Sequence, residues 1–216
     1  HLHLNIFGLI GLTAVGTLRV LLPTVLGESD PGSALFLRRQ LPWLVFAALA
    51  IAFGAACWTP VAILGAVAWS WTSVQLLRVL WRWRGRWLNA HAASISLGAA
   101  ALGWLLVLAA GIAHALGYVA SDPLFGLLNF MFLLPLVTGA TSYLLPVWRW
   151  PGRVTDAHAR MRQRLTRFSG LRVGVFWVSG LIGLWEYEYA YLPGALALAG
   201  YVFQAMSAFV TVRNTS

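Results

Sequence analysis

The 216-residue sequence predicts an all-α fold, a polytopic integral membrane helical bundle of about seven transmembrane helices, with the N-terminus outside and the C-terminus cytoplasmic. Three observations predict it. Hydrophobic residues make up 60% of the chain and charged residues 10%, with a mean hydropathy of +0.76. A soluble domain of this length cannot hide that much apolar surface from water. Apolar runs of about 20 residues recur, the length that crosses about 30 Å of hydrocarbon. Finally, all 15 basic residues are arginines, and all fall on one side when seven helices alternate. The alternating apolar–polar decamers of an outer-membrane barrel are absent.

The whole chain, residues 1–216, reads as a single transmembrane domain. Its first span is Leu2–Leu26. Pro42–Trp58 and Pro60–Leu80 follow, divided only by Thr59-Pro60, a break that reads as either a kink or a turn. Ala92–Tyr118 and Leu124–Trp148 are the fourth and fifth spans, and Leu171–Trp185 and Leu192–Val212 the last two. Between the fifth and sixth, Asp156–Phe168 sets Met161, Leu165 and Phe168 at helical spacing against Arg160, Arg164 and Arg167. That segment reads as an amphipathic helix lying in the cytoplasmic interface, or as a docking surface for a partner subunit. The first residue is His, not Met, which leads us to expect an upstream segment, either a further span or a cleaved signal sequence.

The arginines set the orientation. Arg38 and Arg39 fall in the first basic segment and Arg82, Arg84 and Arg86 in the second. Arg149, Arg153, Arg160, Arg162, Arg164 and Arg167 fall in the third, and Arg213 in the tail. Arg19, Arg78 and Arg172 lie within a turn or two of the same side, and the loops near Thr59, Asp122 and Tyr189 have no basic residue. The arginine side is therefore expected to be cytoplasmic, which assigns the chain to a bacterial inner membrane as a multi-pass protein. The partners this implies are a bilayer with anionic headgroups and other membrane subunits. The run Arg82-Trp83-Arg84-Gly85-Arg86-Trp87 fits arginine anchors and an interfacial tryptophan belt, not nucleic-acid binding.

Polar side chains at membrane depth are costly and point to function. Most gather at the outer end: His1, His3 and Asn5 open the first span, His114 lies about a turn before the end of the fourth, Asp122 precedes the fifth, Asn129 lies a turn or two inside it, and Glu186 and Glu188 close the sixth. His91 and His158, on the arginine side, read as ordinary interface residues. Two positions apart on a helix means roughly 200° apart in direction, so His1 and His3 cannot serve one ligand face. His3, deeper, is the better candidate, with Asn5 after it as a further cofactor-binding residue. An imidazole from a second helix, His114, would complete a bis-histidine pair around a haem iron. Copper is the alternative, with His1 as a further donor. Cys57 stands alone, which excludes an intrachain disulfide and a Cys-x-x-Cys haem attachment.

The first span has an echo. Residues 4–23, LNIFGLIGLTAVGTLRVLLP, and residues 128–146, LNFMFLLPLVTGATSYLLP, both begin Leu-Asn and end Gly-x6-Pro with Leu-Leu before the proline. The Asn-to-Gly distance differs by one residue. This is a parallel repeat about an axis along the membrane normal, in which the glycine would allow close helix approach and the proline would stop the helix. The stretch His3-Leu4-Asn5…Gly16-Thr17-Leu18-Arg19-Val20-Leu21-Leu22-Pro23 resembles the second helix of the haem-copper oxidase and nitric oxide reductase catalytic subunits, and Gly139-Ala140-Thr141-Ser142-Tyr143-Leu144-Leu145-Pro146 resembles its ending. In that family the helix starts outside with a histidine that ligates the low-spin haem, so the resemblance implies that role for His3. The family has many more spans, and this chain has no adjacent His-His pair for an oxygen- or nitric-oxide-reducing centre. The chain thus looks more like a reduced or divergent relative, such as the NnrS-type haem- and copper-containing membrane proteins linked to nitric oxide.

The resulting expectation is a b-type haem protein, with haem b bound through His3 and His114, acting in electron transfer or in nitric oxide or copper-related redox handling. A cofactor-free accessory or scaffold subunit of a larger membrane complex is a second expectation, and a copper-binding carrier a third. No nucleophile–base pair, phosphate loop or zinc motif argues for a hydrolase.

Overall fold

The computed structural model describes residues 1–84 and 93–212; Arg86, Trp87, His91 and Arg213 lie outside them. The described residues form helices in the order α1 (Leu4–Val25), α2 (Ser33–Cys57), α3 (Thr59–Arg82), α4 (Ala93–Ala115), α5 (Asp122–Arg149), α6 (Asp156–Thr166), α7 (Ser169–Ile182) and α8 (Tyr187–Thr211). Six of these, α1–α5 and α8, are long and apolar enough to cross a membrane. The sequence predicts seven. The seventh, α7, is helical for only 14 residues, about 21 Å at the α-helical rise and short of the hydrocarbon thickness. Its apolar run extends to Trp185, but the chain leaves the helix after Ile182.

Several boundaries follow from local chemistry. The Thr59-Pro60 break is a turn: Trp58 is extended (φ −158°, ψ 101°), and Pro60 sits in the first turn of α3, where its missing N–H costs nothing. α2 and α3 consequently pack as an antiparallel hairpin. α2 begins at Ser33, ahead of the predicted Pro42, because Arg38, Arg39 and Gln40 continue the helix beyond the apolar run. α1 does not stop at Pro23, which lies inside its last turn. The stop is Gly27, left-handed at φ 74°, with Gly27 N–H donating to Thr24 O and Glu28 N–H to Pro23 O, the paired bonds of a Schellman cap. Pro146 likewise sits inside α5, which runs on to Arg149.

The predicted repeat has a structural counterpart. Residues Leu4–Gly11 of α1 and Leu127–Leu133 of α5 are π-helical, and each stretch contains the asparagine of its Leu-Asn pair. π turns account for well under 1% of residues in proteins, so two at matching places relate the helices strongly. The glycines have diverged. A Cβ on Gly139 would lie 2.9 Å from that of Ser96, so this glycine does permit close approach, whereas one on Gly16 would meet nothing within 4 Å.

α4 is the central helix, in contact with α1, α3, α5 and α7. Trp104 on it packs against Phe7 of α1, Trp69 of α3 and Phe132 of α5 at centroid distances of 5.7, 5.5 and 4.6 Å. α8 runs alongside α5 in the same direction: Tyr191 meets Phe130 (5.5 Å between centroids) near their starts, Tyr201 Oη lies 3.1 Å from Ser142 Oγ, and Arg149 sits 3.7 Å over the Phe209 ring near their ends. Outward faces carry large exposed apolar side chains, among them Phe46, Phe53, Leu64 and Val210. Trp58, Trp81, Trp148 and Trp185 stand exposed at helix ends.

α6 turns its apolar stripe onto the bundle. Met161 and Leu165 are fully buried against Tyr201 and Ala208 of α8 and Val212 just after it, while Phe168 is exposed. His158 is 1% exposed and serves as a cap. Its Nδ1 accepts from Thr155 N–H at 3.1 Å, which leaves the proton on Nε2, and Nε2–H donates to the Trp150 carbonyl at 2.9 Å. His158→Ala removes both bonds and leaves the half-buried Trp150 carbonyl without its donor. The expected cost is about 2 kcal/mol, read as a lower melting temperature of the detergent-solubilised protein.

Candidate functional site

At the end of the bundle where α1 begins lies a cavity of about 490 Å³. Its volume is in the range of cofactor and small-molecule sites. The start of α1, the α2–α3 turn, the end of α4 and the start of α5 enclose it. The walls are apolar, and several are small (Ala55, Ala62, Ala66 and Gly111), which leaves a slot between the helices. The polar lining residues are His3, His114, Thr59 and Ser121.

The two histidines are held differently. His3 precedes the π turn of α1 and stacks on Phe7 one turn later, with 6.4 Å between ring centroids and 11° between planes. Phe7 is in turn fixed by Trp104. His3 is half-buried and lines the same cavity as His114. His114 occupies the last turn of α4, which closes in a second Schellman cap: Gly117 is left-handed at φ 82°, and Tyr118 N–H donates to Ala113 O. The chain reverses there and returns Val119 to His114, whose Nδ1 lies 2.7 Å from the Val119 carbonyl oxygen. A carbonyl only accepts, so Nδ1 carries the proton. In the neutral ring Nε2 then keeps its lone pair free for a ligand, the usual way in which an outer hydrogen bond orients a metal-binding imidazole.

The structure thus brings His3 and His114 to one cavity and leaves out the other predicted donors. His1 and Asn5 are exposed and do not line it. Asn5 lies within the π turn, where the wider winding alters the direction expected from α-helical geometry. Among the described residues, no group of three or more His, Cys, Asp or Glu side chains could hold a metal ion. Glu186 and Glu188 are exposed, as is Cys57. Two imidazoles are therefore the principal donor set at this end.

Sequence reasoning missed Phe7, Thr59, Ser121 and the Val119 carbonyl. Phe7 has a legible signal, standing four residues after His3 on the same helix. The Val119 contact has none, since it depends on the chain reversal at Gly117. A His-x-x-x-Tyr spacing, which the sequence was expected to lack, is present at His114 and Tyr118. Gly117 ends the helix between them and Tyr118 is 81% exposed, so the two do not share a helical face.

No protein-family model, curated protein or solved structure matches this chain.

Proposed function

We propose that this chain is a haem-binding protein of a bacterial cytoplasmic membrane, with His3 and His114 as axial ligands and electron transfer as its role. The observation that carries the reading is the meeting of two imidazoles, one with Nε2 freed by the Val119 carbonyl, in one apolar cavity of about 490 Å³. The residues fit the group. Small side chains leave room for a flat macrocycle, apolar walls suit its faces, and Thr59 and Ser121 offer hydroxyls to its polar edge. Haem would supply one-electron chemistry, and the protein sets its potential through ligand identity, hydrogen bonding to the ligands and burial. Two histidine ligands would suit a haem that passes electrons, the chemistry such a group would supply here. His3 in this role is what the resemblance to the haem-copper oxidase and nitric oxide reductase helix implies.

The orientation we propose has residue 1 outside and seven crossings. Because α8 runs parallel to α5, the chain must return across the bundle through α7 and residues 183–186. α7 is short for an average bilayer, a mismatch met by local thinning. With seven crossings every arginine falls on the cytoplasmic side.

Copper is a second reading supported by the same donors, since a pair of imidazoles also suits that metal. Quantifying iron and copper per protein, alongside the absorption spectrum, separates the readings. Iron near one equivalent with a Soret band supports haem. Copper near one equivalent without a Soret band supports the metal carrier. Neither metal, with tight co-purification of other subunits, supports the accessory-subunit reading.

A further inference from the structure

We infer that the groove between α7 and α8 binds the phosphate headgroup of an anionic phospholipid. This site lies at the arginine-rich end, remote from the histidine cavity, and is independent of any cofactor there; it rests on the chain being a membrane protein. The groove has a volume of about 680 Å³, and Arg164, Arg167, Arg172, Gln204 and Ser207 supply its polar lining together with Tyr201.

Arg172 is the central observation. It is 5% exposed, yet its Nε and Nη2 have no hydrogen-bond partner among the described residues. Nη1 donates to Gln204 Oε1 at 3.4 Å, and the guanidinium lies 4.4 Å over the Tyr201 ring. Neither partner is an anion. Gln204 is engaged at both ends, because its Nε2 donates to the Arg164 carbonyl. No residue lining the groove is acidic. A buried cation without a counter-charge is expensive, so three arginines around one groove call for a negative group brought from outside.

Chemistry and position identify that group. The arginine fork matches phosphate geometry. Arg164 and Arg167 are exposed at the mouth, while Leu171, Val175 and Phe203 continue the groove as an apolar wall along the outward faces of α7 and α8. A phosphate at Arg172 would leave its acyl chains along that wall, at the height where a membrane presents anionic headgroups. A free inorganic anion would gain nothing from the wall.

The test is a thermal melt of the detergent-purified full chain with phosphatidylglycerol, phosphatidylcholine or inorganic phosphate. Phosphatidylglycerol is expected to raise the melting temperature by about 5–10 °C at a concentration about 100 times its dissociation constant, with neither other addition matching it. Arg172→Gln and Arg167→Gln should reduce the shift, while Arg39→Gln, an exposed arginine outside the groove, should preserve it. If Arg172→Gln fails to fold, Arg167→Gln decides, because its side chain is exposed. An equal shift from phosphatidylcholine overturns the proposal, as does a full shift from inorganic phosphate alone, which would assign a soluble anion. An undiminished phosphatidylglycerol shift in Arg167→Gln also overturns it.

Discussion

Gly103→Ala is expected to lower the stability of the bundle by about 3 kcal/mol, and Gly16→Ala to leave it unchanged or slightly raised. Gly103 lies on α4 beside the core residue Trp104, and a Cβ there would sit 1.9 Å from the Met131 carbonyl oxygen and 2.5 Å from its carbon. Those atoms are backbone of the π turn in α5, so no side-chain rotation relieves the clash; the two helices must separate. Overpacking costs typically 1–3 kcal/mol where side chains can adjust, so a backbone collision belongs at the upper end. Gly16 has open space at the same position, and alanine there gains about 0.5–1 kcal/mol of helix preference. Parallel melts in one detergent check the pair. A Gly103→Ala protein as stable as the parent would mean that α4 and α5 are not in this register.

Asp30→Ala is the second large effect. The Asp30 carboxylate lies 2.6 Å from Arg19 Nη1, with side-chain exposures of only 11% and 10%. Arg19 also sits 4.8 Å from the Phe36 ring, so the pair ties α1 to the start of α2. Removing Asp30 leaves a largely buried guanidinium without its anion, at a cost of about 3 kcal/mol. Arg19→Met/Asp30→Ala should recover a good part of that loss, since it removes the stranded charge as well. A double variant as unstable as the sum of its single variants would show that the ion pair contributes nothing beyond its separate groups.

The membrane-length helices and the polar end where α1 begins were legible because both are written in single residues: apolar runs and histidines out of place. The Leu-Asn repeat was legible as well, and its π turns add a feature that letters do not carry. What sequence could not supply were the ends and rotations. Pro23 looked like the stop of α1, but Gly27 is, because a Schellman cap needs a left-handed residue. Asn5 looked like a partner of His3, but the π turn lies between expectation and direction. Met161 and Leu165 predicted an amphipathic helix, and only the tertiary structure shows that α8 receives that face. The meeting of His3 with His114 required helix rotations that a uniformly apolar pattern does not encode. Arg172 could be counted toward the positive side, yet its burial without an anion could not be read.

The central claim is that His3 and His114 together hold a haem, and the absorption spectrum of the purified protein with each histidine replaced tests it most directly. The account predicts a Soret band in the parent protein that is lost or strongly shifted in both His3→Ala and His114→Ala, with melting temperatures showing that both variants remain folded. A folded parent protein with no Soret band, or a band unchanged in either variant, would contradict it.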